Sequence, residues 1–144
     1  MKVLILNGPN LNLLGKREPE IYGSQTFEEY FSQLTKKFPS VDLVYFQSNH
    51  EGALLDKLHE VGFSYAGIVF NPGAYTHTSI ALRDAIAGIE TPVMEVHISN
   101  LAKREPFRQV SYVKDVCVGT IEGMGLAGYE VAVGELIQHI QQGH

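Results

Sequence analysis

Cysteine, tryptophan and long apolar runs are scarce or absent in this chain. It has no tryptophan and one cysteine, Cys117, so no disulfide framework can form and a reducing compartment fits. No run approaches the roughly 20 apolar residues of a membrane-spanning helix. The first apolar run, Val3–Leu6, is also shorter than the roughly 7–15 residues of a signal-peptide core. We therefore expect a cytoplasmic protein.

Positive charge is scarce as well. The chain has 11 Lys and Arg residues against 16 Asp and Glu residues, which gives a net charge of −5. A nucleic-acid-binding protein usually carries a basic patch or stripe, so no nucleic-acid partner is expected. An acidic protein can still bind a small anion, provided that arginines and backbone N–H groups are placed locally.

Several catalytic and cofactor motifs are missing. The sequence has no Gly-Lys-Ser/Thr phosphate loop, no Gly-x-Ser-x-Gly elbow and no His-Glu-x-x-His metal pair. With one cysteine and six histidines at other spacings, a bound metal is not expected. The segment Gly123–Gly128 has dinucleotide-fingerprint spacing, but it follows the last predicted strand. A close turn between sheet and helix explains it better.

The apolar pattern predicts one α/β domain of 144 residues. Five short runs rich in Val, Ile and Phe alternate with amphipathic segments, as expected for buried parallel strands and their crossover helices. This pattern favours a three-layer, doubly wound, flavodoxin-like domain with strand order 2-1-3-4-5. The predicted strands are Val3–Leu6, Val41–Phe46, Gly67–Phe70, Pro92–Val96 and Asp115–Ile121.

Helical periodicity fills the intervals between the strands. One helix should begin near Thr26 and stop at Pro39, and a second should end before Gly62. The spacing predicts a third helix over 78–87, capped by Thr76 or Thr78, and a fourth over 127–141.

The connection after the first strand, Asn7–Gly23, is the most unusual segment. Strand-to-helix connections usually take about 2–6 residues, so one of this length is functional or disordered. Its apolar residues and its separated Gly and Pro residues favour a lid, mobile over about residues 15–25. The lid carries Arg17 and Tyr22, and a nearby cation could stabilise a tyrosinate base. The alternative is that Tyr22 only anchors the loop and the arginine is solvated.

Polar residues follow strand three and lie at the end of strand four, where ligands bind in open α/β sheets. The first group is the turn Asn71–Thr78, which is either an anion-binding helix start or a simple capped turn. His77 and Asp84 lie seven residues apart and should share a helix face. In the second group, Glu95 and His97 point to the same side of a strand, so the carboxylate can orient the imidazole as a general acid.

Six motifs in this order resemble the type II 3-dehydroquinate dehydratases over essentially the whole chain. They are Asn7–Gly15, Arg17–Pro19, Tyr22–Gly23, Gln47–Gly52, Asn71–Thr78 and Glu95–Asn100. The resemblance implies a single catalytic domain over residues 1–144 that converts 3-dehydroquinate to 3-dehydroshikimate by anti elimination through an enolate. It also implies no cofactor, neither metal nor Schiff base.

The resemblance assigns roles to individual residues. Tyr22 would remove a proton from C2, activated by Arg17, and His97 would protonate the departing hydroxyl while Glu95 orients it. Asn10 would hold a water against the enolate oxygen. The substrate-binding residues would be Asn71, His77, the Ile98–Ser99 backbone and Arg108, with Asp84 from a neighbouring subunit of a dodecamer built from trimers.

One departure from the family pattern is Gln109-Val110, where a basic or His-bearing pair is expected. Two other hypotheses remain open at this stage. One is a flavodoxin-like module that binds flavin or phosphate, although its phosphate loop and acidic cluster are missing. The other is a purely structural oligomer component.

Overall fold

The computed structural model describes residues 1–16, 20 and 23–143, and it contains one five-stranded parallel sheet. The strand order is 2-1-3-4-5, which confirms the predicted doubly wound α/β fold. The strands are β1 Lys2–Asn7, β2 Asp42–Gln47, β3 Gly67–Asn71, β4 Val93–His97 and β5 Gly119–Glu122.

Among the described residues, four helices cover the two faces of the sheet. They are α1 Phe27–Lys37, α2 Glu51–Val61, α3 Ile80–Gly88 and α4 Ala127–Gln141. Alternate strand residues point to opposite faces. Val3 and Ile5 therefore pack in the α1 and α4 layer, whereas Leu4 and Leu6 pack in the α2 and α3 layer. No helix in the described part of the chain is long and apolar enough to cross a membrane.

The ends of the helices follow local hydrogen bonding. Thr26 caps α1 in a reciprocal box with Glu29, which agrees with the predicted start. The predicted cap of α3 was wrong. Ser79 accepts the Leu82 N–H there, while Thr76 and Thr78 belong to the end of a separate 3₁₀ turn, Gly73–His77. His77 and Asp84 therefore do not share one helix.

The fifth strand is shorter than the predicted Asp115–Ile121. In the parallel register Met94 pairs with Gly119, so residues before Val118 would extend past the start of β4 and find no strand to pair with. The first ladder bond runs from Val118 N to the Val93 carbonyl, at 2.8 Å. The preceding residues form a 3₁₀ turn, Lys114–Val116.

The segments after β1 and β3 meet at the carboxyl edge of the sheet. Gly8 N donates to the Asn71 carbonyl at 2.7 Å. A Cβ atom added at Gly8 would lie 2.4 Å from the Pro72 carbonyl oxygen, so only glycine permits this approach. The contact places the start of the long connection against the turn that carries His77.

This packing predicts opposite effects for two Gly→Ala substitutions. Gly8→Ala should lower the free energy of unfolding by about 2–3 kcal/mol, since backbone atoms must move to accommodate the methyl group. Gly134→Ala is the matched control, because nothing lies within 4 Å of a Cβ at this position inside α4. It should raise stability by about 0.5–1 kcal/mol. Urea denaturation tests both, and a neutral Gly8→Ala would contradict the packing argument.

Candidate active site

A cleft of about 240 Å³ opens at the carboxyl edge of the sheet. Its walls are formed by residues 9–14 of the first long connection, by the Gly73–His77 turn and by the segment after β4. One wall is apolar and another carries imidazoles, amides and guanidinium groups, which suits a small polar anion. The lining residues are Pro9, Asn10, Leu11, Leu13, Leu14, Asn71, Gly73, Ala74, His77, His97, Ile98, Ser99, Leu101, Arg104 and Arg108.

His97 and Glu95 form a buried pair at the end of β4. His97 Nε2 lies in a short hydrogen bond with Glu95 Oε2, and the two residues are 4% and 0% exposed. Val96, between them, points to the opposite face and packs in the α1 and α4 layer. The strand thus places the pair as its alternation predicts. Because Nε2 faces the carboxylate, Nδ1 remains as the nitrogen that can exchange a proton with a ligand.

Hydroxyl groups from three other segments surround the Glu95 carboxylate. Ser111 Oγ donates to Oε2 at 2.6 Å, and Thr120 Oγ1 donates to Oε1 at 3.0 Å. Thr76 Oγ1 lies 3.1 Å from Oε2 and 2.8 Å from Ser111 Oγ. Burial opposes ionisation of Glu95, but the hydrogen bond and charge of His97, with the Ser111 and Thr120 bonds, hold its pKa below the ordinary value.

Cys117, the single cysteine of the sequence, lies near the Glu95 carboxylate, and its thiol is not suited to act as a nucleophile. Burial, and then the negative charge of Glu95, raise the pKa of the Cys117 thiol. The thiol therefore stays protonated at neutral pH, and a thiolate nucleophile is not expected at this position.

His77 reaches the cleft from the turn after β3. Its Nδ1 lies 2.7 Å from the Val110 carbonyl oxygen. A carbonyl can only accept, so Nδ1 carries the hydrogen and Nε2 remains for a ligand. The neighbouring Tyr112 N donates to the Thr76 carbonyl at 2.8 Å. The segment 110–112 therefore holds the His77 turn in place through its backbone.

A buried series of hydrogen bonds holds the Asn71 side chain in place. Its Nδ2 donates to Tyr129 Oη at 3.0 Å, and Tyr129 Oη donates to Asn7 Oδ1 at 2.7 Å. Asn71 Oδ1 accepts from Gly73 N at 3.0 Å. Complete burial is the main cause that raises the pKa of Tyr129, which keeps the phenol neutral. The second Nδ2 hydrogen of Asn71 remains for a ligand.

Two arginines supply positive charge to the cleft, and both contact an exposed carboxylate. Arg108 Nε donates to Glu105 Oε2 at 3.1 Å, and Arg104 Nε lies 3.5 Å from Glu105 Oε1. Arg104 also donates to Ser99 Oγ at 3.0 Å. These exposed ion pairs contribute little to stability, so the guanidinium groups can turn to an anionic ligand at small cost.

The cleft brings together most of the predicted site residues. Those that line it are Asn10, Asn71, His77, His97, Ile98, Ser99 and Arg108, while Glu95 lies directly behind His97. Asp84 is exposed on α3 and does not line the cleft of its own chain. Arg17 and Tyr22 lie outside the described residues.

Sequence reasoning missed the groups that hold the catalytic side chains in place. Ser111, Thr120 and Tyr129 received no role from the sequence pattern. Ser111 and Thr120 lie 16 and 25 residues from Glu95, so no local spacing in the sequence indicates that they bind its carboxylate. In the described parts of the chain, no three His, Cys, Asp or Glu side chains come together as a metal site.

Comparison with known proteins gives one consistent family. The family model described as dehydroquinase class II matches residues 1–137. A 3-dehydroquinate dehydratase of an Exiguobacterium species is 52% identical, covering 100% of this chain and 99% of that protein. The Bacillus pumilus enzyme of the same name is 55% identical, covering 93% and 92% respectively.

Solved structures agree with these sequence relatives. The type II dehydroquinase from Butyrivibrio crossotus superposes with a TM-score of 0.89 and 48% identity, covering 95% of this chain and 97% of that one. The type II dehydroquinase from Propionibacterium acnes gives 0.88 and 40% identity, covering 95% and 96%.

Because hydroxyl groups donate hydrogen bonds to the Glu95 carboxylate, Ser111→Ala should lower the free energy of unfolding by an amount that depends on pH. The lowered pKa of Glu95 means that the unfolded chain binds more protons at acid pH, so wild-type stability is lost as pH falls through the folded pKa. At pH 7 the variant should lose about 1.5–3 kcal/mol, the usual contribution of a hydrogen bond to a charged group. The loss should shrink once Glu95 is protonated.

Urea denaturation between pH 3 and pH 7 measures this effect, and ¹³C NMR of the Glu95 carboxyl should show its pKa raised in the variant. Ser64→Ala, in the exposed turn after α2, serves as the control. An equal loss at every pH would show that Ser111 does not stabilise the carboxylate.

Proposed function

This chain belongs to the dehydroquinase class II family, and we propose that its elimination reaction runs through an enolate in the cleft described above. Its activity is that of a hydro-lyase, the dehydration of 3-dehydroquinate to 3-dehydroshikimate. The observation that carries the proposal is the buried Glu95–His97 pair facing that cleft. A flavodoxin-like flavin or phosphate module is not favoured. The family places the reaction in the shikimate pathway.

The proposed first step removes a proton from C2 of the substrate, next to the ketone. Tyr22 would act as the base in its phenolate form, with Arg17 stabilising the negative charge. The electron pair of the C–H bond moves towards the ketone and gives an enolate. Asn10, which lines the cleft, would hold a water against the enolate oxygen. The roles of Arg17 and Tyr22 are inferred from the resemblance of these two residues to the family motif.

The proposed second step expels the C1 hydroxyl as water. His97 would donate the proton from Nδ1, since Nε2 is engaged by Glu95. The ionised carboxylate stabilises the imidazolium before transfer and holds the Nε2 hydrogen afterwards. The enolate then collapses, the C1–O bond breaks and a C1–C2 double bond forms. Solvent then carries the proton from Tyr22 to His97, which restores both residues to their starting protonation states.

Substrate binding would use groups that the fold leaves available. His77 offers Nε2, Asn71 offers its second amide hydrogen, and Arg108 offers charge for the carboxylate. The backbone of Ile98 and Ser99 would complete the polar wall. We propose no cofactor for the reaction, and a cytoplasmic location on the ground of the single cysteine.

Removal of the general acid should abolish most of the turnover. His97→Asn should lower kcat by about 10²–10⁴-fold, the usual contribution of a positioned proton donor. His59→Asn is the matched control, since His59 is exposed at the end of α2 and away from the cleft. The assay is the ultraviolet appearance of the conjugated enone from 3-dehydroquinate.

Tyr22→Phe tests the base in the same assay, with Tyr65→Phe at the opposite end of the sheet as its control. Full activity in Tyr22→Phe or His97→Asn would disprove the corresponding role. An inactive wild type would disprove the function itself.

We also propose that the chain assembles as trimers arranged into a dodecamer, with Asp84 completing a neighbouring site. The support is an exposed apolar face beside the start of α3. Ile80, Val110 and Tyr112 are 59%, 52% and 39% exposed. Arg83 Nη1 in α3 donates a hydrogen bond to the Tyr112 carbonyl at 2.7 Å, and this bond holds the segment 110–112 beside the start of α3. Asp84 is exposed on the same helix.

Ile80→Asp should break this assembly, because a carboxylate cannot be buried unpaired in an apolar interface. Light scattering coupled to size-exclusion chromatography should show a smaller particle, and activity should fall with the lost Asp84. Phe63→Asp is the control, since Phe63 is 63% exposed and lies after α2, outside this face. An unchanged mass would contradict the proposed interface, and a fully active small particle would contradict the role of Asp84.

A further inference from the structure

The motif Gln47–Gly52 has no part in the chemistry above, yet one of its side chains contacts the site. Asn49 lies in the connection between β2 and α2. Its Oδ1 accepts from the backbone N–H of Asn10 at 3.0 Å, and from Gln47 Nε2 at 3.1 Å. The bond to Asn10 joins residues 39 positions apart.

Asn10 needs such support because its backbone is unusual. Its φ of 71° is the only positive value at a non-glycine residue in the described part of the chain. The left-handed region is disfavoured for L-residues, although asparagine tolerates it better than most. Leu13 N donates to the Asn10 carbonyl at 3.0 Å, so Asn49 and Leu13 engage the two backbone polar groups of this residue.

Asn49 also contacts the Gly73–His77 turn, which forms another wall of the cleft. Tyr75 Oη donates to the Asn49 carbonyl at 2.9 Å, and Tyr75 belongs to the turn that carries His77. Gln47 Nε2 also lies 3.2 Å from the Gly8 carbonyl. The motif thus connects the start of the long connection to the turn after β3, two walls of the same cleft.

We propose that Asn49 is a positioning residue for the dehydration, whose Oδ1 holds Asn10 in the left-handed conformation that lines the cleft. The inference rests on the proposed function, in which Asn10 places a water against the enolate oxygen. Asn49 is exposed, and water competes with its hydrogen bonds. Its loss should therefore affect Asn10 locally, with little effect on the stability of the fold.

Three variants separate the acceptor oxygen from the rest of the side chain. Asn49→Asp keeps an oxygen that can accept from Asn10 N–H and should stay within about twofold of wild-type kcat. Asn49→Ala and Asn49→Leu remove the acceptor and should lower kcat about tenfold, the order expected for one hydrogen bond that fixes a reacting geometry. KM should change less, since the substrate-binding residues are untouched.

Ser48→Ala is the matched control. Ser48 Oγ accepts from His50 N at 3.0 Å, so the variant loses a hydrogen bond of the same connection without contacting Asn10. It should keep wild-type kinetics. Thermal unfolding of every variant shows whether any loss of rate reflects unfolding.

Hydrogen exchange of peptides covering residues 8–14, followed by mass spectrometry, reports on the Asn10 amide without any substrate. Protection should persist in wild type and Asn49→Asp and fall in Asn49→Ala. Wild-type kcat in Asn49→Ala would overturn the proposal, as would equal losses in Asn49→Asp and Asn49→Ala. If wild type lacks dehydratase activity, the proposed function fails, while the exchange pattern still decides whether Asn49 holds Asn10.

Discussion

The buried carboxylate of Glu95 is the constraint on which the site depends. An ion removed from water is costly unless it is paired and hydrogen-bonded. Here the compensation comes from four parts of the chain: His97 in the same strand, Thr76 after β3, Ser111 after β4 and Thr120 in β5. These segments must all be in place before the carboxylate is satisfied, so folding and orientation of His97 are coupled.

The same edge of the sheet also buries uncharged polar side chains. The opposite ends of the strands can be filled with aliphatic side chains, whereas this edge buries the Asn7–Tyr129–Asn71 chain. Asn7 Nδ2 and Tyr45 Oη are buried and make no hydrogen bond of good geometry among the described residues, although the Asn7 side chain interacts with the Tyr45 hydroxyl and partly opposes the effect of burial on its pKa. An unsatisfied buried group costs about 1–3 kcal/mol. We infer that stability is given up where the ligand has to be oriented, and recovered in the two apolar layers.

The sequence predicts the layers well because both layers arise from local periodicity. Alternation along β4 was enough to place Glu95 beside His97 and Val96 in the opposite layer. Long-range pairing was not available from spacing. Thr76 was expected to cap a helix, but its hydroxyl lies between Ser111 and the charged Glu95. The predicted end of β5 lies one residue before the observed end, whereas the predicted start lies four residues too early, because the start depends on the register with β4.

The pair Gln109-Val110 shows why a departure from a family pattern need not disturb a site. The Val110 contact to His77 runs through the backbone carbonyl, which every residue type provides. The Gln109 side chain donates to the Arg104 carbonyl at 2.9 Å, so it holds the segment through the backbone of Arg104. The side chain of Val110 is itself 52% exposed. Substitution at these two positions can therefore change the outer surface of this segment while the acceptor for His77 stays where the backbone places it.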